Sequence, residues 1–355
     1  MFYKLGQKKV IMFRSIVVCF FLLNWITYVW AEKPDQDFKN KWVALIIEYT
    51  SSDYNQRLIK GAQEEAKTLG LRLEILDAKN NKAAMPFMID DVTLRNVDGI
   101  MISHGAPNLL LPSLKRSLRR DIPVVAIHCD IELPGVSLLS QDDGLIAEMI
   151  MKEMIADTNG RADFVLIWIG GYEPMEKRID VYNKIMAEEP GLREITRFGI
   201  AGPGTVLHTE VRMKEILQSY PKDGIDAVLA TWDEYAKGAA NAIMSEGRNE
   251  IRLYGIDISD SVLKMLKNPD NPWVATVGVD SKMLGRVQIR MLAQALLGRK
   301  LPDRHTLEPV LINKSMLPED QPVTMSDLHQ YIPGWEKNLT EFKLPSSLTP
   351  HKTKN

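Results

Sequence analysis

The chain has 355 residues, of which 45% are hydrophobic and 25% are charged, and its formal net charge is -2. This length and composition support one large domain or two medium domains with proper hydrophobic cores. The first 31 residues carry four basic residues and no acid, so without them the net charge becomes -6. A mildly acidic surface argues against nucleic acid as a partner.

The amino-terminal segment has the features of a secretory signal peptide. A basic region at 1–14 precedes an apolar run at 15–30, followed by a cleavage pattern that ends at Ala31. An uncleaved anchor is the alternative, but a run of about 16 residues interrupted by Asn24 is short for spanning a bilayer. We therefore expect export, with residues 1–31 removed.

After a polar linker at 32–41, short apolar runs alternate with segments of helical spacing. The predicted strands are 42–47, 71–76, 97–103, 123–127, 136–139, 163–169, 194–200, 227–230, 251–256, 274–279 and 307–312. The predicted helices are 53–69, 85–94, 107–118, 143–154, 173–187, 206–217, 236–243 and 281–297. Because each strand is followed by a helix, we expect right-handed crossovers and parallel sheets covered on both faces.

The pattern indicates two lobes of similar design. The run at 97–103 is echoed at 225–231, and the alternation of strand and helix restarts near residue 163. The tail beyond residue 318 has scattered prolines and few apolar runs, so we expect a lid-like surface wrap up to about Trp335 and a frayed end.

Two strand ends in the second half carry the residues of a candidate binding site. Trp232 and Asp233 follow one predicted strand, and Asp257 follows the next. Carboxyl ends of parallel strands hold ligands in open α/β sheets. An indole ring can stack on the C–H face of a sugar while carboxylates accept hydrogen bonds from its hydroxyls. In the alternative interpretation Trp232 fills the core and Asp233 caps a helix.

The order and spacing of seven short stretches are similar to those of a known family. They are 61–66, 97–100, 122–125, 140–143, 233–239, 255–257 and 275–285. From Trp42 to about Met316 the chain resembles the type I periplasmic sugar-binding proteins, the ribose- and galactose-binding group that serves ABC importers.

The resemblance implies an α/β fold with two similar doubly wound parallel-sheet lobes, joined by a hinge of three crossovers near Gln141, Val279 and Leu307. The expected divisions are a signal peptide at 1–31, an N-terminal lobe at 42–141 plus 280–307, a C-terminal lobe at 142–279 plus 308–316, and a tail at 317–355.

The resemblance also implies further ligand contacts. They are Tyr54, Ser103, His104, His128 and Arg178. Each has an ordinary alternative: a loop residue, a hydrogen-bonded structural histidine, or a solvated helix arginine. The stretch at 128–130 replaces the Asp-Arg pair of ribose binders and removes a bidentate donor, so a ligand other than ribose is expected.

These features predict a periplasmic solute-binding protein without catalysis, cofactor or metal. It would capture a sugar or sugar-like polyol between its lobes and deliver it to the membrane permease of an ABC importer. The alternative is a sensory binding protein that presents its ligand-bound form to a membrane receptor histidine kinase or chemoreceptor. The family expectation is a monomer.

Other chemistries have weak support. The six histidines show no close metal-binding spacing, and neither a GxSxG elbow nor a Walker loop is present. Cys129 would be the only cysteine of the mature chain, which rules out an internal disulfide. A signal segment stands where repressors of this fold carry a DNA-binding helix-turn-helix, so nucleic acid is not expected.

Overall fold

The computed structural model describes residues 38–335 together with Lys337 and Phe342. The predicted signal peptide, its cleavage after Ala31 and most of the chain beyond Trp335 lie outside the described residues. Within the described part, no helix has the length and apolar character needed to cross a membrane.

Two six-stranded sheets organise the described residues. The strands are β1 (Trp42–Ile47), β2 (Arg72–Asp77), β3 (Gly99–Ser103), β4 (Val124–Ile127), β5 (Val136–Gln141), β6 (Ala162–Ile167), β7 (Leu192–Phe198), β8 (Ala227–Ala230), β9 (Arg252–Ile256), β10 (Trp273–Gly278), β11 (Arg304–Leu307) and β12 (Val310–Asn313). The N-terminal sheet has the order β11-β5-β4-β3-β1-β2, and the C-terminal sheet has the order β12-β10-β9-β8-β6-β7. Both sheets are parallel, except that β12 runs antiparallel to β10.

Helices cover both faces of each sheet. They are α1 (Asp53–Leu69), α2 (Met85–Leu94), α3 (Pro107–Leu118), α4 (Asp143–Asp157), α5 (Glu173–Glu188), α6 (Thr205–Ser219), α7 (Asp233–Ser245), α8 (Asp260–Lys267) and α9 (Ser281–Leu296). The ends of α1 follow from local chemistry, since the Ser52 side chain accepts a hydrogen bond from the backbone of Asn55 and Gly70 adopts the left-handed conformation.

Each sheet and its helices form a lobe with a hydrophobic layer on either face of the sheet. This is why the central strands are continuously apolar: in β3 and β4 every residue is buried. The predicted two-lobe α/β fold is therefore confirmed. The chain passes between the sheets after Gln141, after Gly278 and after Leu307. The exact lobe boundaries drawn from the sequence stay a prediction.

The structure differs from the sequence-based predictions at three places. The predicted strand at 307–312 is two short strands, β11 and β12, which belong to different sheets. No helix separates β4 from β5, which pair in parallel across a loop at 128–135. The short helix α8 was not predicted, although Ser259 caps it.

The described part of the tail, up to Trp335, contributes to the core of the C-terminal lobe rather than lying on it as a lid. Its buried apolar side chains are Leu317, Val323, Met325, Leu328, Ile332 and Trp335. The Asp260 carboxylate accepts a hydrogen bond from the backbone N–H of Met325 at 2.7 Å, which fixes the tail against α8.

Helices α1 and α9 approach so closely that only glycine fits at their crossing. A Cβ atom on Gly61 would lie 1.8 Å from the carbonyl oxygen of Lys282, and one on Gly285 would lie 2.0 Å from that of Leu58. Both obstacles are backbone atoms, so they cannot move aside without separating the helices.

We expect Gly61→Ala to lower the free energy of unfolding by about 1–3 kcal/mol, because the added methyl group forces the two helices apart. Urea denaturation measures the change. Lys60→Ala, on the exposed face of the same helix, is the control and should have little effect. Equal stability of Gly61→Ala and the unsubstituted protein would contradict the close crossing.

Candidate ligand-binding site

A cleft lies between the carboxyl ends of the two sheets and contains a partly open cavity. The N-terminal lobe contributes Tyr49, Ser52, Tyr54, His104, His128 and Gln141, and the C-terminal lobe contributes Ile169, Tyr172, Pro174, Met175, Arg178, Ala201, Trp232 and Asp257. Because both lobes line the cavity, a small molecule bound in it would contact both of them.

The topology of the sheets explains why the cavity forms here. The strand order reverses between β1 and β3 in one sheet and between β6 and β8 in the other. Connections leave such a pair of strands in opposite directions, and the gap between them binds ligands in open α/β sheets. The cavity joins the two gaps, with residues that follow all four of these strands.

Three of the polar lining residues adopt the left-handed backbone conformation directly after a strand. They are His104 after β3 (φ 63°), His128 after β4 (φ 55°) and Asp257 after β9 (φ 75°). This conformation is unfavourable for residues with a Cβ atom and is retained chiefly where the surrounding structure imposes it, often at functional sites.

A buried hydrogen-bond network crosses the inner end of the cavity from one lobe to the other. The Tyr54 hydroxyl lies 2.9 Å from Nε2 of His128 and donates to Oε1 of Gln141 at 3.2 Å. Nε2 of Gln141 donates to Oδ1 of Asp143 at 3.1 Å, and Arg178 donates to the same oxygen through Nε at 2.9 Å.

Arg178 and its carboxylate neighbours set the charge of the site. Nη2 of Arg178 lies 2.7 Å from Oδ1 of Asp143, and Nη1 donates to the carbonyl oxygen of Thr231. Burial raises the pKa of Asp143, and the Arg178 guanidinium opposes that shift. The arginine is 3% exposed, so the interpretation of Arg178 as a solvated helix residue is wrong.

Asp257 is the polar group that the protein leaves unsatisfied at this site. Its Oδ1 is buried and accepts no hydrogen bond from the described residues, and the Nη2 atom of Arg178 is 3.8 Å away. Burial raises the pKa of the Asp257 carboxyl to about 7, with Arg178 acting in the opposite direction. A buried acceptor without a donor is costly, and a ligand hydroxyl would remove that cost.

The two histidines are neutral. Burial lowers the pKa of His104 to about 3 and that of His128 well below its usual range. Their rings lie 4.8 Å apart, and Nδ1 of His104 is within 3.1 Å of the Ser103 hydroxyl. Neutral imidazoles can donate or accept one hydrogen bond each without bringing charge to the cavity.

The structure brings six of the eight sequence-predicted residues to the cavity: Tyr54, His104, His128, Arg178, Trp232 and Asp257. The other two do not line it. Ser103 lies at the end of β3 and supports His104, while Oδ2 of Asp233 lies 2.6 Å from Nζ of Lys237 on α7. Trp232 agrees with both interpretations, as a ligand contact and as a core residue, since it lines the cavity and is part of the C-terminal core.

Sequence reasoning missed eight lining residues as contacts: Tyr49, Ser52, Gln141, Ile169, Tyr172, Pro174, Met175 and Ala201. The similarity between the two halves of the sequence could have identified the loop after β6 as part of the site. Because the two lobes echo each other, the segment at 169–175 occupies the place that the segment at 49–54 occupies after β1. A ligand-facing tyrosine could have been inferred there by symmetry.

One trio of side chains offers metal-ligand types at close range: atoms of His128, Asp143 and Glu173 lie within 4.8 Å of one another. Both carboxylates already have cationic partners, Arg178 for Asp143 and Lys177 for Glu173. We therefore assign no metal to this trio.

The raised pKa of Asp257 makes stability depend on pH in a definite direction. Because the folded state holds a proton that the unfolded chain has lost, this group's contribution to stability falls as the pH rises from about 4 to about 7. We expect the melting temperature of ligand-free Asp257→Asn, minus that of the unsubstituted protein, to rise by roughly 2–4 °C or more from pH 5 to pH 8. Asp270→Asn, at an exposed position, is the control. A difference that does not change with pH would contradict the shift.

Comparisons with known proteins agree with this architecture. Residues 43–300 match the family model described as periplasmic binding protein domain. The ribose import binding protein of Bacillus subtilis is 26% identical over 275 residues, which cover 77% of this chain and 87% of the relative.

Two solved structures are especially similar. One is a 5-methylthioribose transporter solute binding protein from Thermotoga lettingae in complex with 5-methylthioribose, with 34% identity, a TM-score of 0.81, and coverage of 87% of this chain and 98% of that one. The other is a sugar ABC transporter protein from Yersinia enterocolitica, with 29% identity, a TM-score of 0.80, and coverage of 84% and 92%. The chain therefore belongs to the periplasmic binding protein family, whose members bind substrates for transport.

Proposed function

We propose that this protein binds a neutral sugar or polyol in the cleft and delivers it to an ABC importer. The observation that carries the proposal is the buried, unsatisfied carboxylate of Asp257 beside the indole ring of Trp232, in a cavity lined by both lobes. A hydroxylated molecule supplies the missing donor and a C–H face for the ring.

The charges around the cavity favour an uncharged ligand. The guanidinium of Arg178 is paired with Asp143, and the two histidines are neutral. A charged ligand would lose its water in a buried site whose guanidinium already has a partner in Asp143, and burying a charge without a free partner is costly.

The relatives support a sugar of pentose size as the first ligand to test. One is a ribose import protein, and the neighbour at 34% identity was solved with 5-methylthioribose. The stretch His128-Cys129-Asp130 still argues against ribose itself, because a neutral imidazole stands where ribose binders place a carboxylate.

Contacts across the cleft support a mechanism in which the ligand stabilises a closed form. Nζ of Lys237, on α7, lies 3.2 Å from Oδ2 of Asp53, on α1. Nζ of Lys82, in the N-terminal lobe, donates to the carbonyl oxygen of Gly171 in the C-terminal lobe at 3.0 Å. A ligand that touches both lobes would favour this arrangement, which the permease would recognise.

The proposal also covers the cellular location and the oligomeric state of the protein. The protein would act in the periplasm as a monomer, after cleavage behind Ala31, and without a catalytic step. No feature of the described residues favours the alternative in which a sensor kinase or chemoreceptor is the partner. We therefore propose the importer alone.

Calorimetric titration of the mature protein with pentoses, hexoses and polyols tests the proposal. We expect at least one neutral sugar or polyol to bind, and Asp257→Ala to weaken it about 10- to 100-fold, the effect of losing a hydrogen bond to a charged group. Asp270→Ala should bind normally because that carboxylate is exposed and lines no part of the cavity. Failure of every neutral sugar and polyol to bind would overturn the function.

A further inference from the structure

We infer that the ligand is a sugar that carries a compact apolar substituent, of which a thioether is the best fit, and that this substituent occupies the mouth of the cavity. The inference rests on the proposed function and narrows it to a substrate class. It follows from how polar and apolar groups are divided between the two ends of the cavity.

The buried lining residues and the partly exposed ones differ in their chemistry. The lining residues with charged or hydrogen-bonding side chains at the inner end are buried: Tyr54, His104, His128, Gln141, Arg178 and Asp257. The four partly exposed lining residues are Tyr49, Ile169, Tyr172 and Ala201, which give the mouth aromatic and aliphatic surface together with two phenol hydroxyls. A ligand that matches this cavity is polar at its inner end and carries more apolar surface at its outer end.

The backbone of the mouth is already hydrogen-bonded. The N–H of Gly171 donates to Oε1 of Glu176 at 2.6 Å, and its carbonyl oxygen accepts from Lys82. The carbonyl oxygen of Met175 accepts from Nε1 of Trp168 at 2.9 Å. A ligand hydroxyl placed against this loop would lose water and find these partners taken, which is unfavourable.

The loop at 169–175 is held in place from the other lobe. Besides its bond to Gly171, Lys82 lies over the ring of Tyr172, with Nζ 4.4 Å from the ring centroid. The apolar mouth is therefore assembled by both lobes. An apolar group on the ligand would be enclosed only when the cleft is closed, so its burial would favour closure.

Sulfur fits this environment well. The mouth and its floor are formed by two tyrosines, Trp232 and the thioether of Met175. Thioether sulfur is polarizable and makes favourable contacts with aromatic rings. Replacing one terminal hydroxyl of a pentose by a methylthio group adds apolar surface where the cavity presents aromatic and aliphatic side chains. We expect about a ten-fold gain in affinity, or more.

Calorimetric titration with ribose, 5-deoxyribose and 5-methylthioribose tests the inference. We expect 5-methylthioribose to bind at least ten-fold more tightly than ribose, with 5-deoxyribose between them, since it lacks the hydroxyl and adds no bulk. Ribose binding as tightly as 5-methylthioribose would overturn the inference.

The variant Ile169→Asn tests the placement of the substituent. It exchanges an aliphatic side chain at the mouth for an amide of similar size. The affinity for 5-methylthioribose divided by the affinity for ribose should fall from ten or more to about three or less. Ile200→Asn is the matched control: Ile200 is 45% exposed and lies outside the cavity, so this change should leave the ratio unaltered. An unaltered ratio in Ile169→Asn would overturn the placement.

The same measurements separate the inference from the proposed function. If an unsubstituted sugar from the wider panel binds more tightly than 5-methylthioribose, the inference fails and the function stands. If no neutral sugar or polyol binds, the function itself fails.

Discussion

The buried pair of Arg178 and Asp143 is the interaction on which the site depends. Both side chains are almost fully buried, and the pair lies just beyond the first passage of the chain between the lobes, after Gln141. A buried ion pair is costly to desolvate and stabilises only when further hydrogen bonds complete it. Here Gln141 donates to Asp143 and the carbonyl oxygen of Thr231 accepts from Arg178, so the completing groups come from both lobes, and Tyr54 in turn donates to Gln141. The network therefore fixes one side of the cleft and leaves Asp257 as the acceptor that a ligand must satisfy.

The similar strand orders of the two sheets explain how they form one cavity that has a polar end and a more apolar end. Each sheet has a gap where its strand order reverses, and the hinge brings the two gaps face to face. The residues after β3, β4 and β9 are forced into left-handed conformations at the inner end, where polar groups belong to the network. The loop after β6 is long enough to turn over the outer end, and its backbone is satisfied by its own lobe and by Lys82. Polar and apolar surfaces are thus separated by the fold itself.

The architecture could be predicted from the sequence because it depends on local patterns that repeat. Buried parallel strands are continuous apolar runs, and helix ends such as Ser52 and Gly70 are visible in the chain. The site was predicted only in part. Trp232 and Asp257 follow strands and could be found, whereas Ile169 and Met175 look like ordinary apolar residues until the opposite lobe encloses them. Asp233 was placed in the site because it also follows a strand, but its first-turn position points its carboxylate to Lys237. Contacts between lobes depend on the hinge, and no local pattern describes them.

The contacts between the lobes also determine how closure can respond to a ligand. The ion pairs between the lobes are partly exposed, among them Lys237 with Asp53, Arg57 with Asp260, and Lys177 with Asp130. Ion pairs in contact with water contribute about 0–1 kcal/mol each, so they cannot by themselves hold the lobes firmly together. Moving an equilibrium from mostly open to mostly closed requires about 5.5 kcal/mol of differential binding. A hydroxylated ring that satisfies Asp257 supplies part of this free energy, and an apolar group enclosed at the mouth supplies more. Because Lys82 holds the opposite loop in this arrangement, that second contribution would favour the closed form.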